Sequence, residues 1–397
     1  MKSRYWAALG VVIAAFVVVA AVLNGCKGFW DLPSSTGGGG TTTTTLSSGY
    51  FYVLDKSTSQ VITYDISSGT LTLVGSPITV PATPIAITVA PNDQFLYVST
   101  ITGGIYLYTI SNGNLTLGNS SLAIDSDPAL AMQVDSTNSW LVETSGQGTL
   151  NAVPIVSSTG KLNSSSPNCA NNSVVCTVPL TGATIHELAI APNNQYVFVA
   201  CATDGTEAFS FSAGSSNPFG SGAYATEHPV TNTTGSALSV AVDPSDRALY
   251  IGEEGATGSG SSGGLRVFTI GTGGALAEVS GSPYSSGGTG PYATLPISAG
   301  DYVYVASWNS TSAGIITGFS VSDSNSTFSL TKLSETASTG VEPMSLVEDS
   351  DDHFVLAENS GGSPYFDAYI FDTTTAGQLD LTNSSSSYAG IALAANH

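Results

Sequence analysis

The chain has 397 residues, of which 42% are hydrophobic and 9% are charged, and its 8 Lys+Arg against 29 Asp+Glu give a formal net charge of −21. Such an acidic surface repels nucleic acid and anionic lipid headgroups, so we expect no nucleic-acid partner. It also disfavours a phosphorylated substrate, unless one of the few cations lies at the site. The 44 glycines, with abundant Ser and Thr, argue against long helices and favour short strands joined by turns.

The first residues have the features of an export signal. Lys2 and Arg4 precede an apolar run that ends at Leu23, and the tetrapeptide LNGC then ends at Cys26. This pattern resembles a bacterial lipoprotein signal, which implies removal of residues 1–25 and lipidation of Cys26. An uncleaved anchor is the alternative, since about 19 apolar residues nearly span a bilayer. Either interpretation predicts an exported protein of the bacterial cell envelope that touches the membrane only through its N-terminal anchor.

The residues after the leader divide into a stalk and one large domain. Residues 26–48 are rich in Gly, Thr and Ser and predict a flexible stalk, and residues 49–397 form the folded domain. Cys169 and Cys176 bracket the turn-rich hexapeptide ANNSVV, which predicts a local disulfide in an oxidising compartment. Cys201 lies inside an apolar strand and is expected to be a buried thiol. No cysteine spacing suggests zinc.

A strand with aromatic residues recurs along the folded domain. The stronger copies are FLYVST, YVFVAC, ALYIGE and YVYVAS, and the weaker ones are YFYVLD, SWLVET and HFVLAE. The fourth residues of the seven copies, in chain order, are Val53, Val98, Val142, Val199, Ile251, Val305 and Leu356. The copies recur about every 50 residues, a period typical of propellers and similar arrays.

Each repeat contains the parts of a propeller blade. An apolar strand comes first, then a turn rich in Pro, Asn and Asp, then the aromatic strand, an alternating third strand and a more polar fourth strand. The folded domain begins on an aromatic second strand and ends on a first strand, YAGIALAA at residues 388–395. The sequence therefore predicts an all-β, seven-bladed β-propeller with four-stranded blades, whose C-terminal strand completes the N-terminal blade. A β-sandwich would not explain the sevenfold period.

The YVST and YVAS copies, with the Pro-Asn/Asp turns before them, resemble the YVTN-type repeat of the bacterial seven-bladed lactonase family. That family includes 6-phosphogluconolactonase and carboxymuconate cyclase, and the resemblance covers residues 49–397. It implies a catalytic His at the start of an inner strand, followed by an acidic residue and an Arg. His186 matches the first element, but Cys201 stands where the acid is expected and Thr206 or Glu207 where the Arg is expected.

Residues that could carry chemistry converge at one mouth of the predicted ring, because the starts of first strands and the ends of second strands share one face. We expect His186 to act there as a general base with help from Glu187 or Glu342, since imidazole titrates near neutral pH. The alternative is that His186 only lines the channel. The other residues expected in this funnel are Asp55, Glu253, Glu254, Tyr292, Trp308 and Glu358.

Two classes of function stay open at this point. The funnel contains carboxylates and aromatics without Lys or Arg, which favours a hydrolase for a neutral, non-phosphorylated lactone. The alternative is a non-catalytic module, tethered at the surface, that binds a glycan or a protein partner. We expect no cofactor and assign no metal ligands, although a funnel of carboxylates could hold Ca²⁺. We also expect a monomer.

Overall fold

The computed structural model describes residues 49–397 apart from 67–68, 103, 119–127, 163–174, 183, 221–225, 228–234, 256–262, 310–311, 325–326, 351 and 363. Its described part forms seven antiparallel sheets and includes the short 3-10 turn Thr272–Gly274. The innermost strands of the sheets contact one another in a closed cycle. The predicted seven-bladed propeller is therefore confirmed.

The blades are numbered in chain order, and the strands of each blade are counted outward from the axis. The inner strands of blades 1 to 7 are Gly390–Ala395, Pro84–Val89, Ala129–Val134, Glu187–Ile190, Ser236–Val242, Gly290–Pro296 and Pro343–Glu348. The second strands are Tyr50–Asp55, Phe95–Thr100, Trp140–Ser145, Tyr196–Ala200, Ala248–Glu254, Tyr302–Asn309 and Phe354–Asn359. The third strands are Gln60–Asp65, Ile105–Ser111, Thr149–Val156, Thr206–Ser210, Gly264–Ile270, Ser312–Ser324 and Phe366–Phe371.

The outer strands are less regular than the inner ones. Four blades have a single outer segment among the described residues, namely Asn114–Leu117 in blade 2, Thr226–Glu227 in blade 4, Thr327–Ser338 in blade 6 and Leu379–Ser385 in blade 7. In three blades two short segments replace it: Thr72–Leu73 and Ile78–Thr79 in blade 1, Lys161–Leu162 and Cys176–Pro179 in blade 3, and Leu276–Glu278 and Tyr284–Ser285 in blade 5.

The last strand closes the ring. Gly390–Ala395 pairs antiparallel with Tyr50–Asp55, and Leu393 lies opposite Val53. The backbone N–H of Tyr50 also donates a hydrogen bond of 2.7 Å to Asn396 Oδ1. This pairing satisfies the edge of blade 1 that would otherwise be open, as the displaced start of the sequence repeat predicts.

Aromatic residues at the start of the second strands pack on glycines of the next blade. The ring of Phe95 lies against Gly160, and the ring of Tyr302 lies against Gly377. Both glycines have positive φ, 67° and 78°, and an added Cβ would come within 2.5 Å and 2.2 Å of the two rings. Tyr97 also donates a hydrogen bond of 2.7 Å to the carbonyl of Gly160. The aromatic repeat in the sequence is therefore a contact between blades that glycine makes possible.

The turns between inner and second strands are linked by hydrogen bonds from blade to blade. They lie on the face of the propeller where the inner strands end. Five of these turns contain an Asp or Asn with φ between 56° and 59°, which Asx residues tolerate well. The side chain of each accepts a hydrogen bond from the turn of the blade before it. The pairs, donor first, are Asn92 with Asn138 (3.2 Å), Ser136 with Asn194 (3.3 Å), Asn193 with Asp246 (3.1 Å), Ser298 with Asp352, and His397 with Asp93 (2.8 Å).

The alignment of the repeats needs a correction of one residue in blades 3 and 7. The hydrogen bond that closes the first turn runs from Ala90 to the carbonyl of Phe95, and its equivalents end at Trp140 and Phe354. Glu143 and Ala357, rather than Val142 and Leu356, are therefore equivalent to Val98. The weak copies SWLVET and HFVLAE thus begin one residue before their second strands, and such a shift exchanges the faces of a strand.

The cysteine predictions are tested in part. Cys176 is in a disulfide, but Cys169 lies outside the described residues, so this pairing stays a prediction. Cys201 is fully buried and is not in a disulfide, as expected. The predicted leader, Cys26 and the stalk also lie outside the described residues. Within the part of the chain that the structure describes, no helix is long and apolar enough to cross a membrane.

Candidate functional site

A cavity of about 310 Å³ lies on the axis where the inner strands begin. Most of its accessible wall is polar, because strand edges and polar side chains both contribute. The polar side chains are His186, Glu187, Tyr292 and Ser345. A volume of this size is in the range of small-molecule sites. The cavity wall formed by the described residues contains no lysine or arginine.

His186 lies at the mouth of this cavity, directly before the inner strand of blade 4. Its backbone N–H donates a hydrogen bond of 3.0 Å to the carbonyl of Ala200, which continues the strand pairing by one residue. Water reaches the imidazole, yet the surrounding protein desolvates it and lowers its pKa, an effect that the carboxylate of Glu254 opposes. The imidazole of His186 is therefore neutral at neutral pH and can accept a proton.

Glu187 is half-buried in the same cavity and contacts the neighbouring blade. Its Oε2 accepts a hydrogen bond of 2.9 Å from the backbone N–H of Val240, on the inner strand of blade 5. In the same way, Gln133 Oε1 on blade 3 accepts a hydrogen bond of 2.7 Å from the backbone N–H of Ile190 on blade 4. Both side chains thus satisfy inner-strand N–H groups of the next blade. Burial raises the pKa of Glu187 to about 8, although the Val240 N–H acts to lower it. Glu187 is thus mainly a neutral carboxylic acid at neutral pH.

Two aromatic residues of blade 6 extend the site. The rings of Tyr292 and Trp308 have centroids 6.3 Å apart at an interplanar angle of 50°. Burial raises the pKa of Tyr292, and the carboxylates of Glu254 and Glu342 raise it further, so its phenol stays protonated and can donate a hydrogen bond. The indole N–H of Trp308 is buried and has no hydrogen-bond partner among the described residues.

Glu254 and Glu342 complete the group on the side of blades 5 to 7. Glu254 is exposed at the end of a second strand, and Glu342 is half-buried with a φ of 60° just before the inner strand of blade 7. The structure therefore brings His186, Glu187, Tyr292, Glu254 and Glu342 to one mouth of the ring. No group of three His, Cys, Asp or Glu side chains in the described part of the chain could hold a metal ion.

Two residues expected in the funnel have other roles, which corrects their placement. Asp55 is 1% exposed, and its Oδ1 accepts hydrogen bonds of 2.8 Å and 2.6 Å from the N–H and hydroxyl of Ser57, so it holds a turn. Glu253 is 0% exposed and pairs with Arg266 Nε at 2.6 Å. Arg266 also contacts Glu278 at 2.6 Å. The sequence did not indicate this pairing, because it depends on the register between the second and third strands of blade 5.

Glu358 is also buried rather than exposed in the funnel. Its side chain packs against Gly390 and Phe366, at the contact between blades 7 and 1, and is 0% exposed. Neither of its carboxyl oxygens has a hydrogen-bond partner among the described residues. Burial raises its pKa to about 9, and the charge of Glu342 contributes to the shift. Glu358 is therefore protonated at neutral pH and does not reach the cavity.

Glu207, one of the two residues that stand where the family's Arg is expected, supports the loop that leads to His186. Its Oε1 accepts hydrogen bonds from the N–H of Thr181 at 2.8 Å, the hydroxyl of Thr181 at 2.6 Å and the N–H of Gly182 at 2.7 Å. Cys201, in place of the expected acid, packs against Gly182. Both departures from the family pattern thus help to build this loop and bring no charge into the cavity.

The fold and the cavity together define a closed seven-bladed propeller with a neutral imidazole and protonated donors at one mouth of its axis. This chain belongs to the family described as lactonase, 7-bladed beta-propeller, whose sequence pattern matches residues 41–389. The resemblance drawn from the repeats is thus confirmed. No curated protein matches the chain significantly.

Solved structures support the same fold at low sequence identity. A provisionally assigned 6-phosphogluconolactonase from Bacteroides uniformis has a TM-score of 0.67 and 16% identity, covering 88% of this chain and 100% of its own. A second one, from Bacteroides fragilis, has a TM-score of 0.68 and 15% identity, covering 91% and 100%. The Cps50 (Swd1) propeller domain of Myceliophthora thermophila has a TM-score of 0.53 and 9% identity, covering 78% and 88%.

Proposed function

We propose that this chain hydrolyses a neutral lactone in the axial cavity, with His186 as the general base. The observation that carries the proposal is the position of His186, whose pKa is lowered by partial desolvation, in a cavity wall shared with Glu187 and Tyr292. Membership in the lactonase family supports the same reaction class. A neutral imidazole is the form of histidine that can take a proton from water.

In the proposed mechanism, His186 removes a proton from a water molecule while the water oxygen attacks the lactone carbonyl carbon. The negative charge that develops on the carbonyl oxygen needs aimed donors. Tyr292 and Glu187 are both protonated at neutral pH and both face the cavity, so they can supply hydrogen bonds there. The ring C–O bond then breaks, and the imidazolium of His186 returns its proton to the leaving alkoxide to release a hydroxy acid.

The charge of the site supports a neutral substrate. Glu254 and Glu342 flank the mouth of the cavity, and the wall formed by the described residues offers no cation. Of the described basic residues, Arg247 and Arg266 are paired with carboxylates on blade 5. A phosphorylated lactone would therefore meet repulsion without compensation. We propose an unphosphorylated lactone as the substrate, in contrast to the assigned substrate of the two Bacteroides proteins.

A pH-stat assay of the purified protein against a panel of neutral lactones tests this function. His186→Ala should lower kcat/KM by about 10²- to 10⁴-fold, the usual contribution of a general base. His353→Ala is the matched control, because His353 is an exposed histidine in a turn at the opposite face of the disc. kcat/KM of the unmodified protein should fall only when the pH drops below the lowered pKa of His186. If no lactone is hydrolysed faster by the unmodified protein than by His186→Ala, the proposal is refuted.

We also propose that the protein is exported and tethered through a lipid on Cys26. The basic residues Lys2 and Arg4, the apolar run and the final LNGC support this proposal. Expression in a bacterial host with a radiolabelled fatty acid tests it. The full chain should incorporate label, and Cys26→Ser should not. Label that persists in Cys26→Ser, or a full chain that stays unlabelled, would contradict it.

A further inference from the structure

A second cavity, of about 430 Å³, lies at the other end of the axis. Its accessible wall is mostly apolar, in contrast to the polar cavity beside His186. The apolar side chains include Val89, Val134, Ile190 and Val347. Ile87 and Leu393 belong to the walls of both cavities, so the two spaces border the same side chains along the axis.

The amide side chains in the wall of this second cavity already have hydrogen-bond partners within the protein, and the wall also contains Thr88 and the C-terminal residue His397. Gln133 Oε1 accepts the hydrogen bond from Ile190, and Asn194 bonds Ser136 through both its Oδ1 and its Nδ2, at 3.3 Å and 2.7 Å. A ligand here would contact mainly apolar surface, with Thr88 and His397 as the other polar residues of the wall. Such a site favours a hydrocarbon over a sugar or another polar group, because polar groups without partners lose free energy on burial.

The distance between the cavities suits one elongated ligand. Ile85 lines only the cavity beside His186, Ile87 lines both, and Val89 lines only the apolar one. Ile85 and Val89 lie on the same strand, and at about 3.3 Å per residue they are about 13 Å apart. A ligand with a polar ring at one end and an extended chain at the other would span this distance. The extended part of the ligand should be uncharged, because the protein's net charge of −21 disfavours an anion such as a fatty acid.

We propose that the apolar cavity binds the linear alkyl chain of a γ-lactone whose ring lies beside His186. This inference rests on the proposed lactone hydrolysis, and it specifies the class of substrate. Each methylene of the chain that enters the cavity should improve kcat/KM by about fourfold, the equivalent of one buried CH₂.

The test compares γ-lactones that carry no chain, a butyl chain or an octyl chain. kcat/KM should rise with chain length in the unmodified protein, and Val347→Asp should remove this rise without changing the rate on the chain-free lactone. Val347 is half-buried in the wall of the apolar cavity. Val178→Asp is the matched control, since Val178 is a half-buried valine on an outer segment of blade 3. Near-ultraviolet circular dichroism confirms that both variants fold.

Binding of a matched γ-lactam with an octyl chain, which resists hydrolysis, separates this inference from the proposed function. If no lactone reacts but the lactam binds by calorimetry and Val347→Asp weakens that binding, the alkyl site stands and the hydrolase proposal fails. If lactones react at rates independent of chain length, the hydrolase proposal stands and the alkyl site is refuted. Equal losses in Val347→Asp and Val178→Asp would also refute the alkyl site.

Discussion

Glu358 should make the propeller less stable as the pH rises, and Glu358→Gln should remove that effect. The carboxyl is 0% exposed, and neither of its oxygens has a hydrogen-bond partner among the described residues. It lies beside Gly390, the first residue of the strand that closes the ring. Glutamine has almost the same shape and no charge, so the substitution keeps the packing and removes only the titration.

The size of the effect follows from the raised pKa. The pKa of Glu358 moves from 4.5 in the unfolded chain to about 9 in the folded protein. Between these values the folded state holds a proton that the unfolded state has lost, so stability falls by about 1.36 kcal/mol per pH unit. The contribution is complete below pH 4.5 and is lost by about pH 9. From pH 5 to pH 8 the protein should lose about 4 kcal/mol that Glu358→Gln does not lose.

Thermal unfolding of both proteins at several pH values measures this difference. For a domain of this size, about 4 kcal/mol corresponds to a difference of about 5 °C in Tm. Burial also raises the pKa values of Glu187 and Glu348 to about 8, but both groups are present in both proteins and cancel in the comparison. Glu254→Gln, at an exposed position, serves as the control and should follow the unmodified protein. Parallel Tm curves for the unmodified protein and Glu358→Gln would refute the reasoning.

Two further predictions concern stability. Arg266→Met should cost about 3–5 kcal/mol of unfolding free energy in urea, because it leaves the buried carboxylate of Glu253 without its partner; a loss below 1 kcal/mol, the usual worth of a surface ion pair, would contradict this. Gly377→Ala should cost about 2 kcal/mol more than Gly220→Ala, since both glycines have positive φ but only Gly377 packs on the ring of Tyr302. Equal losses in the two alanine variants would show that backbone strain alone matters there.

The sequence predicted the propeller well because the fold depends on features that repeat. Every blade needs an apolar inner strand, a tight turn and an aromatic second strand, so seven weak signals reinforce one another. The displaced start at Tyr50 and the final strand at residues 388–395 predicted the closure of the ring, and both are confirmed. His186 was identified because it precedes an inner strand, and the position of such a residue follows from the repeat itself.

The environments of the carboxylates could not be predicted in the same way. Asp55, Glu253 and Glu358 are among the last two residues of second strands, as Glu254 is, yet only Glu254 is exposed. Adjacent residues of a strand face opposite sides, so an error of one residue in the weak copy HFVLAE is enough to misplace Glu358. Its neighbour Gly390 belongs to the closing strand of blade 1, and no local sequence pattern indicates that this strand contacts Glu358.

The sequence alone therefore determined the number of blades, the closure and the position of the candidate base. Each of these follows from the order of residues within the repeats and needs no contact between distant parts of the chain. The tertiary structure alone decided which acidic groups are charged. Glu253 meets Arg266, Glu187 meets an inner-strand N–H and Glu358 meets only apolar surface and a neighbouring glutamate. Desolvation and pairing depend on atoms brought together from different blades, and these set the protonation of a carboxyl group.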